Sequence, residues 1–283
     1  MLEKKVINSR ISQFFNQRQF YLIYPVIFLI GVLTTTLFNS TSYSNLIKSS
    51  TFNRLLNQIF AYKGSYFFNA SLVLIYLTTC YKIGHGFTKI TVQFAVKYII
   101  NYLLLHALFI IVDNLFIYTG GSCELTSEQL KILSSSTLFA KSCVSLGGDW
   151  IDTVTDSFCS ISKLRVHDAE VCRGIKGHWV GGFDISGHFL YLVNNCLLLL
   201  NEVRVLNYVE VDLENQKTGR DWLTQRDYIF YCNLICLFVV VVWTYLVCIT
   251  SIFFHSVTEK GLGLVMGYVS SLVIYHVLQK HIA

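Results

Sequence analysis

Proline is almost absent, with Pro25 the single example in the chain, and charge is scarce, at 14% of residues. One proline excludes a proline-rich linker or disordered proline-rich segment. No run of five or more basic residues occurs and the net charge is only +5, which excludes the electrostatic footprint of a nucleic-acid binder. Also missing are a small-x-small cleavage site after the first apolar stretch, a Lys-Asp-Glu-Leu-type tail and a lipidation motif at either end. The first apolar stretch is therefore expected to stay as a helix, and no address signal names the compartment.

What the sequence has in abundance is apolar surface, 53% of its 283 residues. That balance belongs to an integral membrane protein, not to a soluble domain. The expected fold is all-α and polytopic, with six transmembrane helices near 20–38, 66–83, 91–118, 183–200, 228–254 and 262–278. Each approaches the ~20 residues needed to cross ~30 Å of hydrocarbon. Asn69, Thr78 and Thr79 dilute the second, and the third is long enough to tilt. The organisation expected is an N-terminal tail (1–19), helices one to three (20–118), a long loop (119–182), helices four to six (183–278) and a short tail (279–283).

Short basic segments orient this array. Lys4, Lys5, Arg10 and Arg18 precede the first helix, Lys82 and Lys89 flank the second loop, and Arg204, Lys217, Arg220 and Arg226 lie in the fourth. The opposite face has Lys48, Arg54 and Lys63 in the first loop and Lys260 in the last, the long loop counting little. Both termini are therefore expected in the cytosol and the long loop in the lumen or exterior. That loop holds Cys123, Cys143, Cys159 and Cys172, which on an oxidising face can form two disulfides in any of three pairings and on a cytosolic face stay thiols. It has no closely spaced Cys-Cys or His-His pair to hold zinc. Cys80, Cys196, Cys232, Cys236 and Cys248 fall within the helices, where a thiol packs as a small apolar group.

Most polar residues inside the helices, such as Asn101, Asn194 and His276, have a structural reading as interhelical hydrogen-bonders, and the Gly263/Gly267 pair reads as a helix-packing face. The stretch Phe183-Asp184-Ile185-Ser186-Gly187-His188 stands apart, because glycine and a titratable imidazole are poor filler at a membrane helix start. Ser186 can cap the helix, Gly187 admits a close approach, and free first-turn amides favour a phosphate over which His188 can donate a proton. His255 ends the next apolar segment with Glu259 four residues on; on a continuing helix the carboxylate would share its face and hold one ring nitrogen while the other attacks phosphorus. Lys260 is adjacent and can neutralise phosphate. Together these residues are sufficient for metal-independent phosphoryl transfer through a phosphohistidine, with no metal and no cofactor. The bland alternative is two histidines that only anchor helix ends at the interface.

At these residues the sequence resembles the fat storage-inducing transmembrane (FIT) family, and its fungal branch in particular. The resemblance rests on Gly182 to Leu190, on Glu202, on Phe254-His255-Ser256, on Glu259-Lys260, and on Gly261 and Gly263. It implies a multi-pass endoplasmic reticulum enzyme that cleaves the phosphoanhydride of fatty acyl-CoA in the lumen. The products would be acyl 4′-phosphopantetheine and adenosine 3′,5′-bisphosphate, supporting lipid balance and lipid-droplet formation. By comparison with lipid-phosphate phosphatases, it implies His188 as acid and His255 as nucleophile. The departures from that wider pattern are Ile185 for proline, Glu259 for aspartate, and Cys248 and Ile249 for a Ser-Arg pair. Arg165, Arg173, Lys176 and Lys260 are the candidate substitutes for the missing arginines, with Arg173 and Lys260 preferred. The alternative function is a non-catalytic binder that partitions neutral lipid, triacylglycerol or diacylglycerol, within the membrane.

Overall fold

The structure is a computed structural model that describes residues 18–37, 50–61, 65–83, 89–120, 122–124, 163–164, 178–215 and 221–278. The fold is all-α and polytopic. Its helices are α1 (Ile23–Leu37), α2 (Thr51–Phe60), α3 (Ser65–Ile83), α4 (Lys89–Tyr118), α5 (Gly187–Asn215), α6 (Asp221–Phe253) and α7 (Val257–Leu272). A 3₁₀ turn, Gln19–Leu22, leads into α1, and a π-helical turn, Val273–Leu278, extends α7. Among the described residues five stretches are long and apolar enough to cross a membrane and Phe67–Ile83 is a shorter apolar helix, so a helix occupies most of each expected segment, with the fourth starting at Gly187 and not at 183. The chain divides into two compact units, the described parts of Met1–His106 with Ser186–Ala283, and of Ala107–Ile185.

In the first unit α5 is the central element. Its apolar stretch is 89% buried, against 17% for the stretches of α1 and α4. A helix that is apolar all round belongs inside a bundle, whereas α1 and α4 leave wide apolar faces to lipid. The start of α5 lies beside the end of α6 and Asn207 meets Asn233, so these two helices run antiparallel. α7 runs parallel to α5 because Gly263 and Gly267 allow contact. A Cβ on Gly263 would stand 2.6 Å from Ser186 O, and one on Gly267 would stand 3.0 Å from Phe189 O. The two glycines are thus a packing face toward α5, as expected of a small-xxx-small pair.

Several polar groups inside the bundle pair across helices. Asn194 Nδ2 donates to Asn101 Oδ1 at 3.0 Å, joining α5 to α4. Glu202 accepts from Lys97 Nζ at 3.0 Å, from the Tyr76 hydroxyl at 2.9 Å and from the Tyr275 hydroxyl, tying α5 to α4, α3 and the π-helical turn. A carboxylate with three donors avoids the penalty of an unpaired buried charge. Pro25 sits in the first turn of α1, where a missing amide is tolerated; the Tyr21 carbonyl that this amide would have met accepts from the Tyr268 hydroxyl instead. Cys80, Cys196, Cys232, Cys236 and Cys248 are all free thiols.

The second unit holds a small antiparallel sheet of very short strands, an addition to the expected all-α fold. β1 (Ser122–Glu124) lies between β2 (Lys163–Leu164) and β3 (His178–Val180), with Cys123 opposite both Leu164 and Trp179. Just beyond β3, Phe183 N donates to Thr119 Oγ1 at 2.7 Å, so the two ends of the long loop are held together. Cys143, Cys159 and Cys172, and hence any disulfide, lie outside the described residues.

Candidate active site

The site is assembled from three helix ends. Ser186 is the residue before α5, and its Oγ accepts from Phe189 N at 3.4 Å, a side-chain cap for the first turn. Its own amide donates to Glu259 O at 3.2 Å, which fixes the start of α5 to the start of α7. His188 therefore sits in the first turn of a helix whose end is anchored on both sides.

His255 lies in the break between α6 and α7, and here the expectation of a continuing helix is corrected. α6 stops at Phe253, and His255 takes φ +59°, the left-handed region that non-glycine residues rarely adopt. Ser256 then caps α7 as one half of a capping box: its Oγ accepts from Glu259 N, and Glu259 Oε2 accepts from Ser256 N at 2.7 Å. Four residues still bring Glu259 beside His255, but by a turn and not along one helix face. Oε2 lies 3.8 Å from His255 Nδ1, close enough for charge attraction and too long for a hydrogen bond.

Both histidines line one cavity of about 270 Å³. Leu246, Ile249 and Phe254 form its apolar wall, all from α6 and the break that follows it. Thr250, Asn53, Arg54 and Asn57 supply the remaining polar groups. The last three come from α2, an element that reasoning from sequence missed by treating residues 39–65 as a plain loop. Ser50 caps α2, accepting from Asn53 N at 3.4 Å, and Phe52, Leu55 and Ile59 are exposed along one side, 62%, 53% and 40%. The opposite, polar side turns to the cavity. Trp243 Nε1 donates to Phe60 O at 2.9 Å and the Tyr245 hydroxyl to Asn53 Oδ1 at 2.9 Å, so α2 is docked on α6 at both ends. The signal was available in the Ser50 cap and in the helical spacing of Phe52, Leu55, Leu56 and Ile59.

Asn57 Oδ1 lies 2.5 Å from His188 Nε2. With that oxygen as acceptor, Nε2 carries a proton that it donates to Asn57, as it does in the doubly protonated ring too. The other residues singled out in the sequence fall differently. Ser186 and Lys260 are buried in the framework: Lys260 is 1% exposed, and its Nζ donates to Ser251 O at 2.7 Å, satisfying a carbonyl in the last turn of α6. Gly187 is half-buried in the first turn of α5, beside the cavity residue His188. Arg173, like Arg165 and Lys176, lies outside the described residues. No group of three or more histidine, cysteine, aspartate or glutamate side chains is placed to hold a metal among the described residues.

A bundle of long apolar helices with a histidine-lined cavity at one end of its central helix defines a polytopic membrane protein. The chain belongs to the fat storage-inducing transmembrane (FIT) protein family, whose profile matches residues 48–275. It is 26% identical to the acyl-coenzyme A diphosphatase YFT2 of Saccharomyces cerevisiae over 93% of both chains. The acyl-coenzyme A diphosphatase fit1 of Schizosaccharomyces pombe is 24% identical over 89% of this chain and 82% of its own. The acyl-coenzyme A diphosphatase FITM2 of Xenopus laevis is 27% identical over 55% of this chain and 57% of its own. No solved structure matches.

Proposed function

We propose that the protein is a fatty acyl-CoA diphosphatase, hydrolysing the CoA phosphoanhydride to acyl 4′-phosphopantetheine and adenosine 3′,5′-bisphosphate. The observation that carries this reading is the meeting of His188 and His255 in one cavity of a chain that belongs to the FIT family. A His255 ring nitrogen attacks one phosphorus of the diphosphate, and the bond to the bridging oxygen breaks. His188, doubly protonated beside the anionic substrate, donates its Nε2 proton to that departing oxygen, which replaces Asn57 as the hydrogen-bond acceptor, and is left as neutral imidazole. Water then attacks the phosphohistidine and gives its proton to His188, restoring the His188 imidazolium and the His255 imidazole. Glu259 contributes negative charge beside His255 Nδ1 while this ring is cationic. Ser186 and Gly187 act through the α5 start, whose dipole favours phosphate, and Arg173 is a candidate phosphate-facing cation, whereas Lys260 is held by Ser251 O inside the bundle.

The order of roles follows the comparison with lipid-phosphate phosphatases, in which the histidine after Ser-Gly is the acid. The distribution of short basic segments supports cytosolic termini and a lumenal site in the endoplasmic reticulum membrane. Membrane lipids, including triacylglycerol or diacylglycerol, would then surround the acyl product. The test is release of adenosine 3′,5′-bisphosphate from oleoyl-CoA by the purified protein beside His188→Ala and His255→Ala, with and without a chelator. Release that survives the chelator and is lost in both variants is the expected result. A folded wild type that releases nothing would instead favour the neutral-lipid binder.

A further inference from the structure

We infer that Arg54 of α2 is the cation that holds the substrate's diphosphate in this cavity, an inference that rests on the diphosphatase reading. A phosphoanhydride brings at least two negative charges to the histidines, and its hydrolysis shifts further charge onto the departing oxygen. Without a fixed cation those charges would have to be met by water or by the imidazoles alone. Among the described lining residues, Arg54 is the one permanent cation. Lys260, the nearest basic residue in sequence to His255, is committed to Ser251 O inside the bundle.

The placement of Arg54 suits the task. Its backbone is fixed, since α2 is capped by Ser50 and held to α6 through Trp243 and Tyr245, while its side chain is exposed at the cavity. A planar guanidinium pairs two phosphate oxygens at once through its fixed fork, which a point-charge ammonium cannot do. The exposed Phe52, Leu55 and Ile59 on the other side of the same helix make it an interfacial helix, with its apolar face in the acyl region and its polar face toward water. That is the level at which acyl-CoA changes from chain to headgroup. Ile249, facing the same cavity from α6, is apolar, so the cation is supplied from α2 and not from α6.

The experiment measures kcat and KM of the full-length protein in nanodiscs for oleoyl-CoA and for oleoyl-dephospho-CoA, which lacks the 3′-phosphate. Arg54→Ala, Arg54→Lys and wild type are compared. A second measurement titrates inorganic pyrophosphate into His255→Ala with and without Arg54→Ala. Arg54→Ala is expected to lower kcat/KM about ten- to a hundredfold on both substrates, with partial recovery in Arg54→Lys, and to weaken pyrophosphate binding similarly. Wild-type turnover with an unaffected Arg54→Ala would overturn the inference and leave the diphosphatase standing. A loss confined to oleoyl-CoA would also overturn it, assigning Arg54 to the 3′-phosphate. If wild type turns over neither substrate, the diphosphatase reading fails; pyrophosphate binding then decides, sustained if it depends on Arg54 and overturned if it does not.

Discussion

The left-handed backbone at His255 allows its catalytic and structural costs to be separated. Glycine is the residue usually found at this position after a helix end, because a Cβ in the left-handed region costs about 1–2 kcal/mol. His255→Gly and His255→Ala both remove the imidazole and its proximity to Glu259, so they differ chiefly in that Cβ. Glycine's larger unfolded-state entropy offsets about 0.5–1 kcal/mol of the difference. The glycine variant is therefore expected to be more stable than the alanine variant by about 0.5–1 kcal/mol, a difference of about 2 °C in melting temperature for a chain of this size. Both should lose turnover of oleoyl-CoA by a thousandfold or more on the order of magnitude seen for a missing nucleophile. Melting of the two proteins in one detergent, with release of adenosine 3′,5′-bisphosphate, reads both quantities. An alanine variant as stable as the glycine variant would refute the strain argument, and a glycine variant that keeps turnover would refute the role of the imidazole.

Three further outcomes follow from the same geometry. Glu259→Gln keeps a capping box that glutamine can also make, and a partly exposed pair at 3.8 Å is worth about 1 kcal/mol or less, so turnover should fall no more than about fivefold; an effect as large as that of His255→Ala would mean the pair closes to a direct hydrogen bond in the reaction. Asn57→Ala should lower kcat by about ten- to a hundredfold with KM little changed, because it frees the ring of His188, and Asn57→Asp, which keeps the acceptor, should recover most of it. A KM effect alone would contradict that positioning role. Lys97→Met should destabilise the bundle by about 3 kcal/mol or more by leaving Glu202 without its cation, and Lys97→Met with Glu202→Gln should be the more stable protein; a double variant worse than the single would show the ion pair itself to be net stabilising.

The helices that cross the membrane were legible because each is a run of apolar residues near the required length, and the Ser186-Gly187-His188 and His255 to Glu259 stretches were legible because nothing in a membrane helix calls for them. α2 was not, since half of its ten residues are polar and its exposed apolar stripe is shorter than any membrane segment. A hydropathy reading averages such a helix to nothing. Lys260 shows a different limit. Its charge beside His255 pointed to phosphate, but the carbonyls in the last turn of α6 need donors, and Lys260 Nζ takes Ser251 O. Glu259 was read through its spacing from His255, four residues, when its spacing from Ser256, three residues, decides the local backbone.

The two halves of the site rest on different supports, and this bears on how variants should be interpreted. The histidines stand on elements fixed to one another by the Ser186 N to Glu259 O hydrogen bond and by the Gly263/Gly267 contact, all within the buried part of the bundle. Glu202 lies fourteen residues along α5 from His188, about 21 Å at the helical rise, so the buried ion pair supports the bundle without touching the cavity. Arg54 and Asn57 stand on a helix bound through Trp243 and Tyr245 on one side and open to lipid on the other. Changes at Gly263 or Glu202 should therefore lower stability first, with turnover following the folded fraction. Changes on the polar face of α2 should leave the bundle intact and act on turnover or substrate binding alone.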